Sequence, residues 1–303
     1  MAALLGCGGG GDDPRHPAEV SNRPAYDTAS RERESALSKP RSSEAFQEPI
    51  RHLLEPDRGN SMFRGNAART GTYTGSPPLR DPAIKWKFRT EEAIWSSPAV
   101  WEGTLYFGSK DGFLYAVDSE TGAERWKSRS KYGVTSSPAV SQGMVFLGGW
   151  EGAVIAFDAN TGRVLWKTET KEGNAGSPAV AGGAVVAGRN VLDIRSGRLL
   201  RDFRFESPIS SESPALLQGS LYSGVKDTMV SIDVESGVTR WKFRTEGSIW
   251  SGPAIAEDIV YFGNDFRYLY AVDAQTGAER WRFDSGAPIR QPPAVAHGAC
   301  QRL

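Results

Sequence analysis

The sequence predicts an all-β fold, a β-propeller of four-stranded blades with five complete blades plus a split or truncated one. Three observations predict it. A Pro-Ala-apolar triplet recurs at Pro98, Pro138, Pro178, Pro214, Pro253 and Pro293, at intervals of 40, 40, 36, 39 and 40 residues. An Asp-x-x-(Thr/Ser)-Gly turn recurs at Asp118, Asp158, Asp193, Asp233 and Asp273. A third series is Trp86, Trp126, Trp166, Trp241 and Trp281, with Arg201 standing where the fourth Trp is due. Three marks held in phase over about 200 residues identify a repeat of roughly 40 residues, the length of a propeller blade.

The first full repeat shows how the strands are read. Ser97–Trp101 is strand A, and Glu102-Gly103 turns the chain into strand B, Thr104–Gly108. The hairpin turn Ser109-Lys110-Asp111-Gly112 leads to strand C, Phe113–Val117. The Asp118 turn follows, since an Asp side chain bonds nearby backbone amides and a Gly accepts positive φ. Strand D, Ala123–Arg129, carries Trp126. By the same reading the five blades end near Arg129, Glu169, Phe205, Thr245 and Asp284.

Composition agrees and narrows the function. The chain has 303 residues, 34 Gly, 18 Pro, nine Trp and nine Tyr, a profile of turns and aromatics that suits sheet. Lys plus Arg equal Asp plus Glu at 36 each, which argues against nucleic acid as the main partner. The two cysteines, Cys7 and Cys300, stand at opposite ends and make neither a disulfide framework nor a zinc site. His16, His52 and His297 lie at or outside the margins of the repeats, so the blades hold no His for acid–base work or metal binding. No nucleophile motif or phosphate loop is present.

The flanks differ from the repeats. Residues 1–7 end in Leu4-Leu5-Gly6-Cys7, the pattern of a bacterial lipobox without its charged and apolar leader. Cys7 is therefore the expected lipidation site, with processing from an upstream start. Residues 8–58 mix charges and Pro with only Tyr26 and Phe46 as aromatics, and are expected to be a disordered tether. The propeller spans residues 59–303. Ile84–Arg89 reads as a lone strand D at its start and Gln291–Val295 as a lone strand A at its end. The strands B and C between them are expected to be absent. The favoured explanation is a truncated ring; the other is a six-sector ring with one thin sector.

The repeat Ala116-x-Asp118-x-x-Thr121-Gly122-x-x-x-Trp126 resembles the tryptophan-docking repeat of the pyrroloquinoline-quinone (PQQ) propeller family. The pattern returns at Ala156, Asp158, Gly162 and Trp166, at Ala271, Asp273, Gly277 and Trp281, and with Ser231 at Asp233, Gly237 and Trp241. Blade three departs, with Val191, Asp193 and Gly197 followed by Arg201. Met62 to Gly71 resembles the opening segment of stand-alone, BamB-like members, which are lipoproteins of outer-membrane protein assembly. The resemblance implies a non-catalytic protein-binding or scaffolding propeller of the bacterial envelope, anchored by lipid and facing the periplasm. Envelope proteins are the implied partners.

Two other functions share the fold. A PQQ-dependent quinoprotein dehydrogenase would need an adjacent Cys pair, a Trp floor and a calcium held by Glu, Asn and Asp, and no residue here carries over to those roles. No cofactor is therefore expected. A ligand- or glycan-binding sensor is the other alternative.

The recurring Asp residues and docking Trp residues are read as structural. Candidate binding residues lie on the rim where blades differ: Trp95 and Trp250 before strand A, Trp150, Arg189 and Asn190 in B–C loops, and Asp265 and Arg267 in blade five. Exposed aromatics beside Arg suit a protein interface, and plugging of the channel mouth by Trp95 and Trp250 stands level with that reading. Blade three is 15 residues from Pro178 to Asp193 against 20 in three other blades, so a shortened B–C loop and a notch at Arg189 are expected.

Overall fold

The computed structural model describes residues 5–6, 65–66, 70, 72–73, 83–130, 133–149, 152–170, 176–181, 183–203, 213–296 and 299–301. The chain divides into two units, and the smaller, Cys7–Glu48, lies outside the described residues. The expected tether, Cys7 and Trp150 therefore also lie outside them.

Strands β1 (Leu5–Gly6) and β2 (Thr72–Tyr73) precede the repeats. Blade one is β3 (Ala99–Trp101), β4 (Thr104–Gly108), β5 (Phe113–Asp118) and β6 (Glu124–Arg129). Blade two is β7 (Ala139–Ser141), β8 (Met144–Gly149), β9 (Ala153–Asp158) and β10 (Val164–Glu169). Blade three is β11 (Ala179–Ala181), β12 (Ala184–Ala187), β13 (Asn190–Asp193) and β14 (Leu199–Asp202). Blade four is β15 (Ala215–Leu217), β16 (Ser220–Val225), β17 (Thr228–Asp233) and β18 (Thr239–Arg244). Blade five is β19 (Ala254–Ala256), β20 (Ile259–Gly263), β21 (Tyr268–Asp273) and β22 (Glu279–Asp284).

Each blade is an antiparallel meander. Consecutive first strands lie side by side, β3 by β7, then β11, β15, β19 and β23 (Ala294–Ala296). Strands B and C are buried along nearly their whole length, because a neighbouring blade covers each face. Strand D is outermost and alternates, with its docking side chain turned inward. A bulge just before each docking residue sets that orientation, as between Val164 and Trp166.

The sixth sheet corrects the sequence reading. A second strand expected to be absent, β24 (Ala299–Gln301), pairs antiparallel with β23. Strand β1 pairs with the far edge of β24, and β2 runs parallel to β23 on its inner edge. Just before β2, the Thr70 carbonyl accepts a hydrogen bond from the Ile255 N–H of β19. Ile84–Arg89, expected to be a strand, joins none of the six sheets. It still packs on blade one, with Trp86 and Phe88 against Phe107, Tyr115 and Val117.

Candidate functional site

The inter-blade joints explain the recurring residues. In blade one, Asp118 Oδ1 accepts bonds from the Glu120 and Thr121 amides and from the Thr121 hydroxyl. The Gly122 amide donates to the Asp118 carbonyl, and Gly122 has φ of 75°, which only a glycine adopts without strain. The docking indole of the preceding segment lies flat on that glycine, where a Cβ would meet Trp86 at 2.7 Å. Trp86 Nε1 then donates to the Ser119 carbonyl at 3.0 Å. The joint repeats as Trp126 to Ala159 at 2.9 Å, Trp166 to Ile194 at 2.9 Å and Trp241 to Ala274 at 2.8 Å.

Arg201 is not a lost docking residue, as the sequence suggested. Its guanidinium lies beside Gly237 and donates to the Glu235 carbonyl and, at 3.2 Å, to the Ser236 carbonyl. A planar guanidinium covers the glycine and reaches the same turn as an indole would. Trp281 is half-buried against Tyr261, and its Nε1 has no hydrogen-bond partner among the described residues.

The turn carboxylates are firmly ionised. The Arg125 hydrogen bond, with those of Thr121, holds Asp118 far below the usual carboxylate range. Arg280 does the same for Asp273. Burial opposes ionisation of Asp233, but Arg240 and Ser236 outweigh it and lower its pKa to about 2. A group so strongly ionised and internally bonded is a structural clamp, a poor general acid or base near neutral pH.

The opposite rim holds the candidate binding residues. Trp95 is 65% exposed and Trp250 is 53% exposed, so neither is a buried channel plug. Lys110 Nζ stands 4.1 Å from the Trp95 ring centroid. Trp250 Nε1 donates to the Asp265 carboxylate, whose other oxygen receives Arg290 Nε at 3.0 Å. Phe266, 56% exposed, lies over Gly247, and Arg267 pairs with Asp284 at 3.1 Å. Three loops thus build one cluster, Trp250, Asp265 and Arg290.

Two expected residues belong to the blade itself. Arg189 pairs with Asp202 at 3.0 Å and Asn190 is buried. Blade three is shorter than its neighbours, in part through the shortened loop expected and mostly through its strands. The turn Gly188-Arg189 has two residues where the Ser109–Gly112 loop of blade one has four, and β12 and β13 have four residues each where β4 and β5 have five and six.

Sequence reading missed Lys110 and Arg290. The phase of the repeat could have found Arg290, which stands three residues before Pro293 as Trp250 stands before Pro253 and Trp95 before Pro98. Among the described residues, no group of three or more His, Cys, Asp or Glu is placed to hold a metal ion.

The family model described as outer membrane protein assembly factor BamB matches residues 80–202 and 225–300. Among solved structures, BamB from Moraxella catarrhalis is 20% identical, with a TM-score of 0.58 over 66% of this chain and 67% of that one. The computationally designed Ika8 protein is 22% identical, with a TM-score of 0.62 over 68% and 66%. Quinohemoprotein alcohol dehydrogenase from Comamonas testosteroni is 15% identical, with a TM-score of 0.62 over 74% of this chain and 48% of that one. This chain thus spans about half of the dehydrogenase, and identities this low show the fold alone. No match is found among curated protein sequences.

Proposed function

This chain belongs to the family of outer membrane protein assembly factor BamB, a PQQ-repeat β-propeller family, and from that premise we propose that it is a non-catalytic protein-binding scaffold of the bacterial envelope. The observation that carries the proposal is the pair of exposed indoles on the loop rim. Burying an indole on a partner gains much and costs little side-chain entropy when the ring is already held. Asp265 and Arg290 hold Trp250 in this way, and Lys110 steadies Trp95. The envelope partners are proteins that act on outer-membrane proteins, as the family description suggests. Lipid on Cys7 supplies the membrane attachment.

The residues do not fit the quinoprotein alternative. The chain has no adjacent cysteines, and its described residues offer no metal-holding cluster. The recurring Asp residues are engaged in their own turns.

A photoreactive residue in place of Phe266 tests the binding rim in cells. A discrete cross-link to an envelope protein, lost in Trp250→Ala at unchanged protein stability, is the expected result. Reduction of an artificial electron acceptor by purified protein with an alcohol, PQQ and calcium would instead make it an enzyme. Capture of glycans by the same rim would make it a sensor. Cys7→Ser, expressed from the natural start, should leave the membrane fraction.

A further inference from the structure

The repeats let the molecule serve as its own control at the start of strand D. Blades one, four and five read Ala123-Glu124-Arg125, Val238-Thr239-Arg240 and Ala278-Glu279-Arg280. In each, the last Arg bonds the Asp of its own turn, at 2.6 Å to Asp118, 2.5 Å to Asp233 and 2.7 Å to Asp273. Blades two and three invert the order to Arg163-Val164-Leu165 and Arg198-Leu199-Leu200. Leu200 is buried, but Val164, Leu165 and Leu199 are 51%, 38% and 45% exposed.

The apolar residues lie to either side of one seam. Trp166 of β10 lies on Gly197 and bonds the Ile194 carbonyl, while the Thr168 hydroxyl donates to the Gly197 carbonyl at 2.6 Å. Leu165 immediately precedes that Trp, and Leu199 follows that Gly by two residues. Both therefore flank the joint between blades two and three, on the rim of the Asp turns. At the joint ahead of blade one the equivalent positions hold an ion pair, Lys85 with Glu120. Here they hold Leu165 and Arg195. Arg163, Arg195 and Arg198 are exposed, and none forms an ion pair with a described residue.

We propose that this seam is a second interaction surface, which binds an extended segment of a partner protein carrying carboxylates between aliphatic side chains. The aliphatic groups cover Leu165 and Leu199. The carboxylates reach Arg195, Arg198 and Arg163, three exposed guanidiniums, of which Arg163 and Arg198 act on their own turn carboxylates, Asp158 and Asp193, only at longer range than an ion pair. Strands β10 and β14 are the outer edges of their sheets, and an extended segment runs along that outer face. The site deepens the scaffold reading yet shares no residue with the Trp250 rim, so the two can fail separately.

Fluorescence anisotropy with the full chain tests it. The probe is a labelled ten-residue peptide alternating Glu and Leu; its companion has Lys for Glu. The acidic peptide should bind, weaken as salt rises from about 0.05 to about 0.5 M, and outcompete the Lys companion. Leu165→Arg with Leu199→Glu, the residues of the joint between blades four and five, should weaken binding about tenfold at unchanged unfolding midpoint. Arg195→Glu, which installs the residue that blades one and four carry, should do the same and covers the case in which the double variant unfolds. No binding by wild type, equal binding of the Lys companion, or wild-type affinity in a folded variant would overturn the proposal. So would a dimer in sedimentation that the double variant dissolves, which would assign the seam to a second copy of this chain.

Discussion

At the scale of single residues, a Gly and the flat group on top of it hold each joint. Trp166 is almost fully buried, so Trp166→Ala removes its packing and its bond to Ile194 together. The loss of unfolding free energy should be about 3–5 kcal/mol. Arg201→Ala should cost about 1–3 kcal/mol, since two hydrogen bonds to carbonyls go while the site stays closer to water. Chemical denaturation of the two variants gives the comparison, and equal losses would show that the indole adds nothing over the guanidinium. The docking Trp series was legible because the indole repeats in phase. The Arg was not, since nothing in a one-dimensional series says that a guanidinium can lie on the same glycine. Asp265 and Arg290, 25 residues apart, likewise meet only because adjacent sheets bring their loops together.

At the scale of the element, the Asp turn couples the outer hairpin to pH. The folded pKa of Asp233, about 2, lies below its ordinary value of 3.8. The unfolded chain therefore takes up the proton first. Stability from this turn is present above pH ~4 and is lost as pH falls towards 2. Wild type and Asp233→Asn should differ in denaturation midpoint at pH 6, and the gap should shrink steadily as pH falls from about 4 towards 2. A gap that stays constant over that range would mean that the Asp233 charge is irrelevant to the fold. Salt should narrow the gap too, because Arg240 is partly exposed. Strand positions in blade one followed from alternation and turn residues, and β4 was read to the residue. Blade three was read less well. Five missing residues could come from loop or strands, and pairing of Ala187 with Asn190 put most of the loss in the strands.

At the scale of the whole molecule, the joints are unequal. At three joints the residue four before Pro-Ala packs on a glycine near the end of the preceding strand B. Val134 does so at Gly108, Ile249 at Gly224 and Ile289 at Gly263, and all three are buried. Ile94 is the equivalent in blade one and is 44% exposed. Ile249→Ala should therefore cost about 2–5 kcal/mol, whereas Ile94→Ala should cost less than about 1 kcal/mol. Equal costs by thermal denaturation would show that Ile94 is as well packed as its counterparts. Hydrogen exchange should report the same asymmetry, with the amides of β23 and β24 less protected than those of β8 and β9.

What the sequence determined by itself is whatever repeats. Blade length, four strands per blade, the Asp turns and the docking positions follow from local spacing, because each turn satisfies its own backbone within five residues. What the tertiary structure alone decided is whatever depends on neighbours. It placed Trp95 and Trp250 in the open, drew Arg189 into a pair with Asp202, gave Arg201 a docking role and set Leu165 and Leu199 along one seam. It also completed the sixth sheet with β1 and β2, from residues more than 220 positions away in the chain. The physical reason is the same throughout. Hydrogen bonds within a turn are encoded by adjacent residues, whereas burial and pairing between blades depend on which distant surfaces the fold brings face to face.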